Sequence, residues 1–251
     1  MNNKGEKKFT TSQIAKAVGV HPNTVRLYEE WGFLQPVPRD KNGYRLYEEK
    51  HLKQMKLSRQ ALRCEFIAGD IREKATEVVK KVAEGELEAA LEMAYDYLKH
   101  IRQERKKAEE ALDLVKAWLE GKVVPSQAVY YKRAEVARLL GVSIDVLRNW
   151  ERDGLITIPR KDNNYRSYGP NELNRLKVIS TLRSANYSMM AVLRMMRRID
   201  EGKGEEAYEA INTPGPEEDI IGATDRWIAT LIETEQDAEK VIDQLKQMMN
   251  S

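Results

Sequence analysis

The side chains in this sequence with chemistry to offer are cations set beside aromatic and polar groups, and the arrangement occurs twice. In Val20–Leu34, VHPNTVRLYEEWGFL, a turn at Gly19 is followed by Arg26, Tyr28 and Glu29. In Val142–Ile156, VSIDVLRNWERDGLI, Gly141 is followed in the same order by Arg148, Trp150 and Glu151. Beyond each stretch, Arg45 in Tyr44-Arg45-Leu46-Tyr47 matches Arg166 in Tyr165-Arg166-Ser167-Tyr168. A guanidinium holds its donors in a fixed fork that fits phosphate, so the chemistry is recognition of anions. Enzymatic chemistry has no footing: His21, His51 and His100 lack triad partners, no glycine loop is built to cradle phosphate, and the carboxylates fall on solvated helix faces.

Two short helices must position each set. Pro22 suits a first helical turn, where its missing N–H costs nothing, and Gly32 ends that helix; Ser143 is a natural N-cap for the second copy, which Gly154 ends. A supporting helix precedes each copy, in FTTSQIAKAV at residues 9–18, with Thr11 or Ser12 as its cap, and in Ala134–Leu140. Gln35–Tyr47, with prolines at 36 and 38, Asn42-Gly43 and an alternating run, predicts a small β wing. On such a strand Arg45 points away from Tyr44 and Leu46, leaving it able to meet a phosphate while those two pack on the helices. Ile158–Tyr168 is the second wing, where Asn163-Asn164 keeps the turn because asparagine tolerates the left-handed conformation. Helices resume over 48–63 and 66–82 in the first copy, and over 170–185 and 189–199 in the second, with Ser188 as a cap. Met189, Met190, Met195 and Met196 on the last of these either pack a core or line a groove.

The net charge of +2 hides an alternation. Residues 1–63 hold 13 Lys/Arg against 6 Asp/Glu and residues 131–198 hold 14 against 6, whereas 64–130 hold 11 against 14 and 199–251 hold 4 against 14. Both basic blocks coincide with the repeated helices, as expected of modules that bind a polyanion by releasing its counterions. The one cysteine, Cys64, excludes an internal disulfide and multi-cysteine metal motifs; it is either a small buried hydrophobe or a redox switch. With no apolar run near about 18 residues and no signal-peptide core, the expected home is the cytoplasm, with no membrane partner and no cofactor.

The duplication extends into the acidic blocks. Lys81–Ala94 aligns with Arg198–Ile211 through a shared Glu-Gly at 84–85 and 201–202, and a long helix then closes each half. Positions 98, 101, 105, 108, 112, 115 and 119 repeat after a shift of 130 as 228, 231, 235, 238, 242, 245 and 249, the three-four spacing of a coiled-coil seam. Each seam has one charged interruption at the same place, Arg105 in one and Glu235 in the other. Pairing the two helices antiparallel within one chain puts these opposite charges together, whereas two identical copies would juxtapose like charges. The plainer alternative is ordinary exposed charge on irregular helices. Gly121–Tyr130 reads as the linker between halves, reaching at most about 33 Å, and Asn212–Gly222 as a loop peculiar to the second half, either a connector or a regulatory contact.

The order TTSQIAKAVGVHPNTVRLYEEWGFL, NGYRLY, helix is similar to the MerR family of bacterial transcription regulators, and residues 131–198 resemble a second member. The resemblance implies a mainly α fold: two winged helix-turn-helix domains at 1–80 and 131–199, coiled-coil helical segments at 81–120 and 200–251, a linker at 121–130, and the long helices paired as a pseudo-dimer. It further implies a partner, double-stranded DNA, gripped in successive major grooves and distorted so that RNA polymerase can use the promoter. Carried over by position, the contacts to DNA would come from His21, Asn23, Thr24, Arg26, Tyr28, Ser143, Asp145, Arg148 and Trp150 on the helices. From the wings they would come from Arg39, Tyr44, Arg45, Arg160, Tyr165 and Arg166. Tyr28 and Trp150 belong either to that surface or to the core. The family often has tyrosine just before the position of Tyr28, where this chain has Leu27 and Asn149, and the two reading surfaces differ from each other, so an asymmetric target is expected. An architectural protein that bends DNA without a promoter role shares all these features, and an adaptor with degenerate heads is a weaker rival.

Overall fold

A computed structural model describes residues 8–63, 70–121, 129–159, 166–214 and 223–250. Among the described residues the regular elements are helical: α1 (Thr11–Val18), α2 (Pro22–Glu30), α3 (Glu49–Ala61), α4 (Ile71–Glu84), α5 (Leu87–Leu119), α6 (Arg133–Leu140), α7 (Ile144–Arg152), α8 (Pro170–Ser184), α9 (Met189–Asp200), α10 (Gly204–Ala210) and α11 (Trp227–Met249). A 3-10 turn over Ala223–Arg226 leads into α11. None of the helices searched is long and apolar enough to cross a membrane. The chain divides into two compact units, one of Met1–Gln103 with Leu231–Ser251 and one of Glu104–Thr230. The division falls inside α5, so each unit contains one repeated head and a stretch of long helix from the other half of the sequence.

In the first unit Thr10 caps α1, one residue before Thr11, the nearer of the two expected caps. Thr10 and Gln13 form a reciprocal pair, the Gln13 amide donating to Thr10 Oγ1 at 3.3 Å and the Thr10 amide to Gln13 Oε1 at 2.8 Å. Gly19 closes α1 at φ +68°, a left-handed conformation that a Cβ would strain, and the chain turns directly into α2. Ile14, Val25, Phe33, Leu34, Met55 and Leu57 are buried beneath these helices; fully burying such a side chain contributes about 1.5–3 kcal/mol. α3 stops at Ala61, and α4 occupies Ile71–Glu84, two residues past the expected end at 82; residues 66–69 of the expected helix lie outside the described residues. Gln54, buried on α3, accepts from the Gln35 amide at 3.0 Å and donates to the Val82 carbonyl at 3.2 Å, tying α2's exit and α4 to one side chain.

Acidic residues of α11 fasten to this unit. Asp237, 6% exposed, accepts from Gln60 at 2.6 Å and pairs with Arg63 at 3.1 Å. Arg102 grips Glu235 at 2.7 Å and Glu239 at 2.9 Å, and Lys246 sits 5.6 Å from the centre of the Tyr95 ring. The contacts advance along α11 as they retreat along α5, so the two segments run antiparallel here. Glu235 thus has Arg102, one turn before Arg105, as a partner, while Arg105 lies 3.4 Å from Glu109.

The second unit repeats the head. Gly141 turns the chain at φ +66°, and Ser143 caps α7, its Oγ accepting from the Val146 amide at 3.2 Å. Ser188 caps α9 and donates to Asp225. Met195 and Met196 are fully buried, so these two methionines are core; Met190 is exposed. α5's Glu104 accepts from Asn186 at 3.0 Å and from Lys107 at 2.6 Å, and Tyr187 donates to the Ala108 carbonyl at 3.4 Å. Burial pushes the Tyr187 phenol far above its ordinary range.

The Glu-Gly pairs at 84–85 and 201–202 both end a helix with glycine at positive φ, +86° and +75°. From there the halves part: α5 runs unbroken from Leu87, well before the seam, whereas among the described residues the second half has the short α10, the 3-10 turn and then α11. The seam positions of α5 from 98 to 119 are buried or half-buried, and on α11 only Met249 is exposed. Cys64, residues 122–128 of the linker and 215–222 of the loop lie outside the described residues.

Candidate nucleic-acid interface

Each head presents the start of its second helix. In α2, His21 is the N-cap: its Nδ1 accepts from the Asn23 amide at 3.2 Å, which leaves the proton of the neutral ring on Nε2. In α7 a serine hydroxyl does this work. One turn on, Arg26 donates to Asn23 at 3.0 Å and Arg148 to Asp145 at 2.7 Å, the same pair of positions with different chemistry. Asparagine leaves the charge of Arg26 intact, while aspartate cancels that of Arg148. His21, Asn23, Arg26, Ser143, Asp145 and Arg148 are all exposed and Thr24 is half-buried.

Tyr28 and Trp150, read as belonging either to the DNA-facing surface or to the core, are buried in the core. They are 5% and 4% exposed, because helical spacing puts them on the face shared with Val25 and Leu147, toward the core. Tyr28 packs edge-on against Phe33 at 5.4 Å. The solvent-facing aromatic of α2 is Trp31, 53% exposed, whose counterpart is Asp153.

Backbone bonds fold residues 38–46 back on themselves, with Arg39 bridging Arg45, the Asp40 amide bonded to the Tyr44 carbonyl at 2.8 Å, and the Gly43 amide to the Asp40 carbonyl at 3.0 Å. The loop is therefore Lys41–Gly43, three residues ending in left-handed glycine at φ +81°, rather than a two-residue Asn-Gly turn. The Asp40 carboxylate caps the amides of Asn42 and Tyr44 at 2.9 and 2.8 Å. Among the described residues these segments form isolated bridges, not strands: Phe9 pairs with Tyr47 and, in the second head, Tyr131 with Tyr168. The Leu46 amide bonds to the Pro38 carbonyl at 2.8 Å, and the Ser167 amide to that of Pro159 at 3.2 Å. Arg39 donates to the Gly43 carbonyl at 3.2 Å. Tyr44 is 72% exposed and does not pack on the helices as expected, since Tyr47 fills the core instead. Arg160 and Tyr165 lie outside the described residues.

Arg45 and Arg166, read from sequence as phosphate ligands, are each bonded to the helix behind them. Arg45 Nε meets Glu29 at 2.5 Å and Arg166 Nε meets Glu151 Oε1 at 2.6 Å. The hydrogen bond to Glu29 raises the Arg45 pKa against the opposing effect of burial. Glu151 also takes Arg133 Nη2 on Oε2 at 2.8 Å, and Arg133 Nε donates to the Tyr168 hydroxyl at 3.0 Å. Arg133, Arg148, Glu151, Arg152 and Arg166 line an open cleft of about 510 Å3. Sequence reasoning passed over the role of Glu29 and Glu151, although their recurrence was visible, and missed Arg133, whose counterpart Thr11 looks like a capping residue.

Two family models match this chain, one described as MerR family regulatory protein over residues 10–47, the other as MerR HTH family regulatory protein over residues 131–199. The HTH-type transcriptional regulator CueR of Salmonella typhi is 44% identical over 55 residues, 22% of this chain and 40% of that protein. CueR of Yersinia pestis is 39% identical over 62 residues, 25% of this chain and 45% of that protein. The HTH-type transcriptional regulator ZntR of Escherichia coli is 34% identical over 65 residues, 26% of this chain and 46% of that protein. The chain thus spans under half the length of these curated relatives, and no solved structure matches it. With one matched segment in each head, in register with the same helices and the same glycine turns, the chain carries a MerR-type helix-turn-helix segment twice.

Proposed function

We propose that this protein is a DNA-binding transcription regulator whose two non-identical winged heads occupy one asymmetric promoter site. Heads at 1–80 and 131–199 enter successive major grooves through α2 and α7, while the hairpin segments act as wings on the flanking phosphates. The observation that carries this reading is the pair of equivalent helix starts with unlike exposed groups, His21, Asn23 and Arg26 against Ser143, Asp145 and Arg148. Asp145 is suited to accept from a cytosine amino group, which Asn23 and Arg26 are not restricted to. The MerR-type heads and the family's regulators among the relatives support a promoter role in which the DNA is bent and untwisted for RNA polymerase.

In this reading α5 and α11 pair antiparallel as a coiled coil, so that one chain does what two identical chains otherwise do. Support comes from the opposed course of the Arg102–Glu235, Arg102–Glu239 and Lys246–Tyr95 contacts. Arg105 beside Glu235 then sets the register of the seam.

Genome-wide footprinting, followed by salt-titrated gel shifts on the recovered sites, tests the proposal. The expected target has two unlike half-sites about one helical turn, roughly 34 Å, apart, and affinity that falls steeply with salt. A perfect palindrome, or binding indifferent to salt, overturns it, and a two-chain complex on a single site overturns the pseudo-dimer.

A further inference from the structure

The corner where the hairpin meets the second helix is built differently in the two heads. In the second head Glu151 has a guanidinium on each oxygen, Arg166 Nε on Oε1 and Arg133 Nη2 on Oε2, at 2.6 and 2.8 Å. Two arginines would otherwise repel; the shared carboxylate draws them together and leaves the trio with one net positive charge. Each guanidinium has five N–H donors, and the contacts named use two from Arg133 and one from Arg166. The side chains are 20% and 31% exposed and open onto the cleft that Arg148 and Arg152 border.

The first head has only half of this. Glu29 holds Arg45, but Thr11 stands where Arg133 does and Glu30 where Arg152 does. Arg148 and Arg152 are themselves matched by Asp145 and Asp153, at 2.7 and 3.1 Å. With those pairs cancelled the second corner keeps one net positive charge, whereas in the first Arg26 and Glu30 offset each other and Arg45 is matched by Glu29; the net difference of one equals the charge of Arg133.

We propose that Arg133 and Arg166, aimed by Glu151, form a clamp for one backbone phosphate of the duplex, present in the second head and absent from the first. The clamp rests on the DNA-binding reading given above. Glu151 is a positioning residue: it does not touch the phosphate but fixes the two groups that do.

The test uses the full chain and a random-sequence duplex long enough for both heads, with affinity followed against salt. Arg133→Thr lowers the slope of log affinity against log salt by about 0.9, the loss of one phosphate contact, and weakens binding about tenfold at low salt. Glu151→Ala also weakens binding, although it removes a negative charge from a surface that meets DNA, and Glu151→Gln, which keeps an acceptor, recovers part of the loss. Thr11→Arg, placing the missing cation beside Glu29, steepens the slope. Tighter binding by Glu151→Ala overturns the clamp, as does an unchanged slope in Arg133→Thr. If circular dichroism shows that the second-head variants unfold, Thr11→Arg decides alone, and no steepening overturns the clamp. Absence of salt-dependent binding by the unmodified chain would instead remove the DNA-binding reading itself.

Discussion

The first and second heads share a backbone and differ in how their charges are spent. Gly19 and Gly141 turn the chain at nearly the same φ, Tyr28 and Trp150 fill the same core position, and Phe9–Tyr47 is repeated as Tyr131–Tyr168. At the surface, Arg26 faces a neutral amide where Arg148 faces a carboxylate, and one arginine holds Glu29 where two hold Glu151. The difference teaches that duplication preserved what packing demands and released what only a ligand would notice.

The comparison breaks most visibly at its shared core. Tyr28→Ala and Trp150→Ala should each cost about 3–5 kcal/mol, read from urea unfolding, because both rings are almost wholly buried. A cost well under 1 kcal/mol in either head would mean that its ring serves the surface, and the core equivalence would fail. A smaller, one-sided effect is expected at Asp237, which accepts from Gln60 and pairs with Arg63. Asp237→Ala should remove about 1.5–3 kcal/mol and speed hydrogen exchange in α3 while leaving α8 protected. Equal exchange in both would show that the clasp is not specific to the first head.

The smallest effect sharpens the contrast through pH. At the third position of α3, His51 Nδ1 accepts from the Glu48 amide at 2.9 Å; at the same position of α8, Glu172 accepts from the Gly169 amide at 2.9 Å. Burial, helped by Lys50 and opposed by Glu48, holds the His51 pKa below its ordinary 6.5. The unfolded chain therefore binds the proton first, so stability of the first head is present above about pH 6.5 and is lost as pH falls below it. Thermal melts from pH 7.5 to 5 should show this decline, and His51→Gln, which keeps an acceptor, should flatten it. A decline that persists in the variant assigns the titration to another group.

Much of this architecture was legible because it is periodic or punctuated. The glycine turns, the caps at Ser143 and Ser188, and the long-helix spacing all follow from local rules, and the repeat made each reading twice as firm. The misses share a physical cause. Whether Tyr28 faces water depends on what lies behind α2, and whether Arg45 is available depends on a carboxylate 16 residues away. The expected alternation placed Tyr44 on the core, but a three-residue loop ending in left-handed Gly43 sets the hairpin register, leaving Tyr44 in solvent. Arg102, a turn before the seam position, also holds Glu235, since a long side chain reaches along a helix as well as across.

The discontinuity of the first unit has a bearing on how the protein is made. Residues 104–230 form one contiguous unit, whereas the unit begun by Met1–Gln103 is complete only once Leu231–Ser251 has been made. The usual vectorial order is thereby inverted: the head translated first is completed last, and a ribosome stalled shortly before residue 231 would display a finished second head beside a first one still lacking the acidic helix that clasps it.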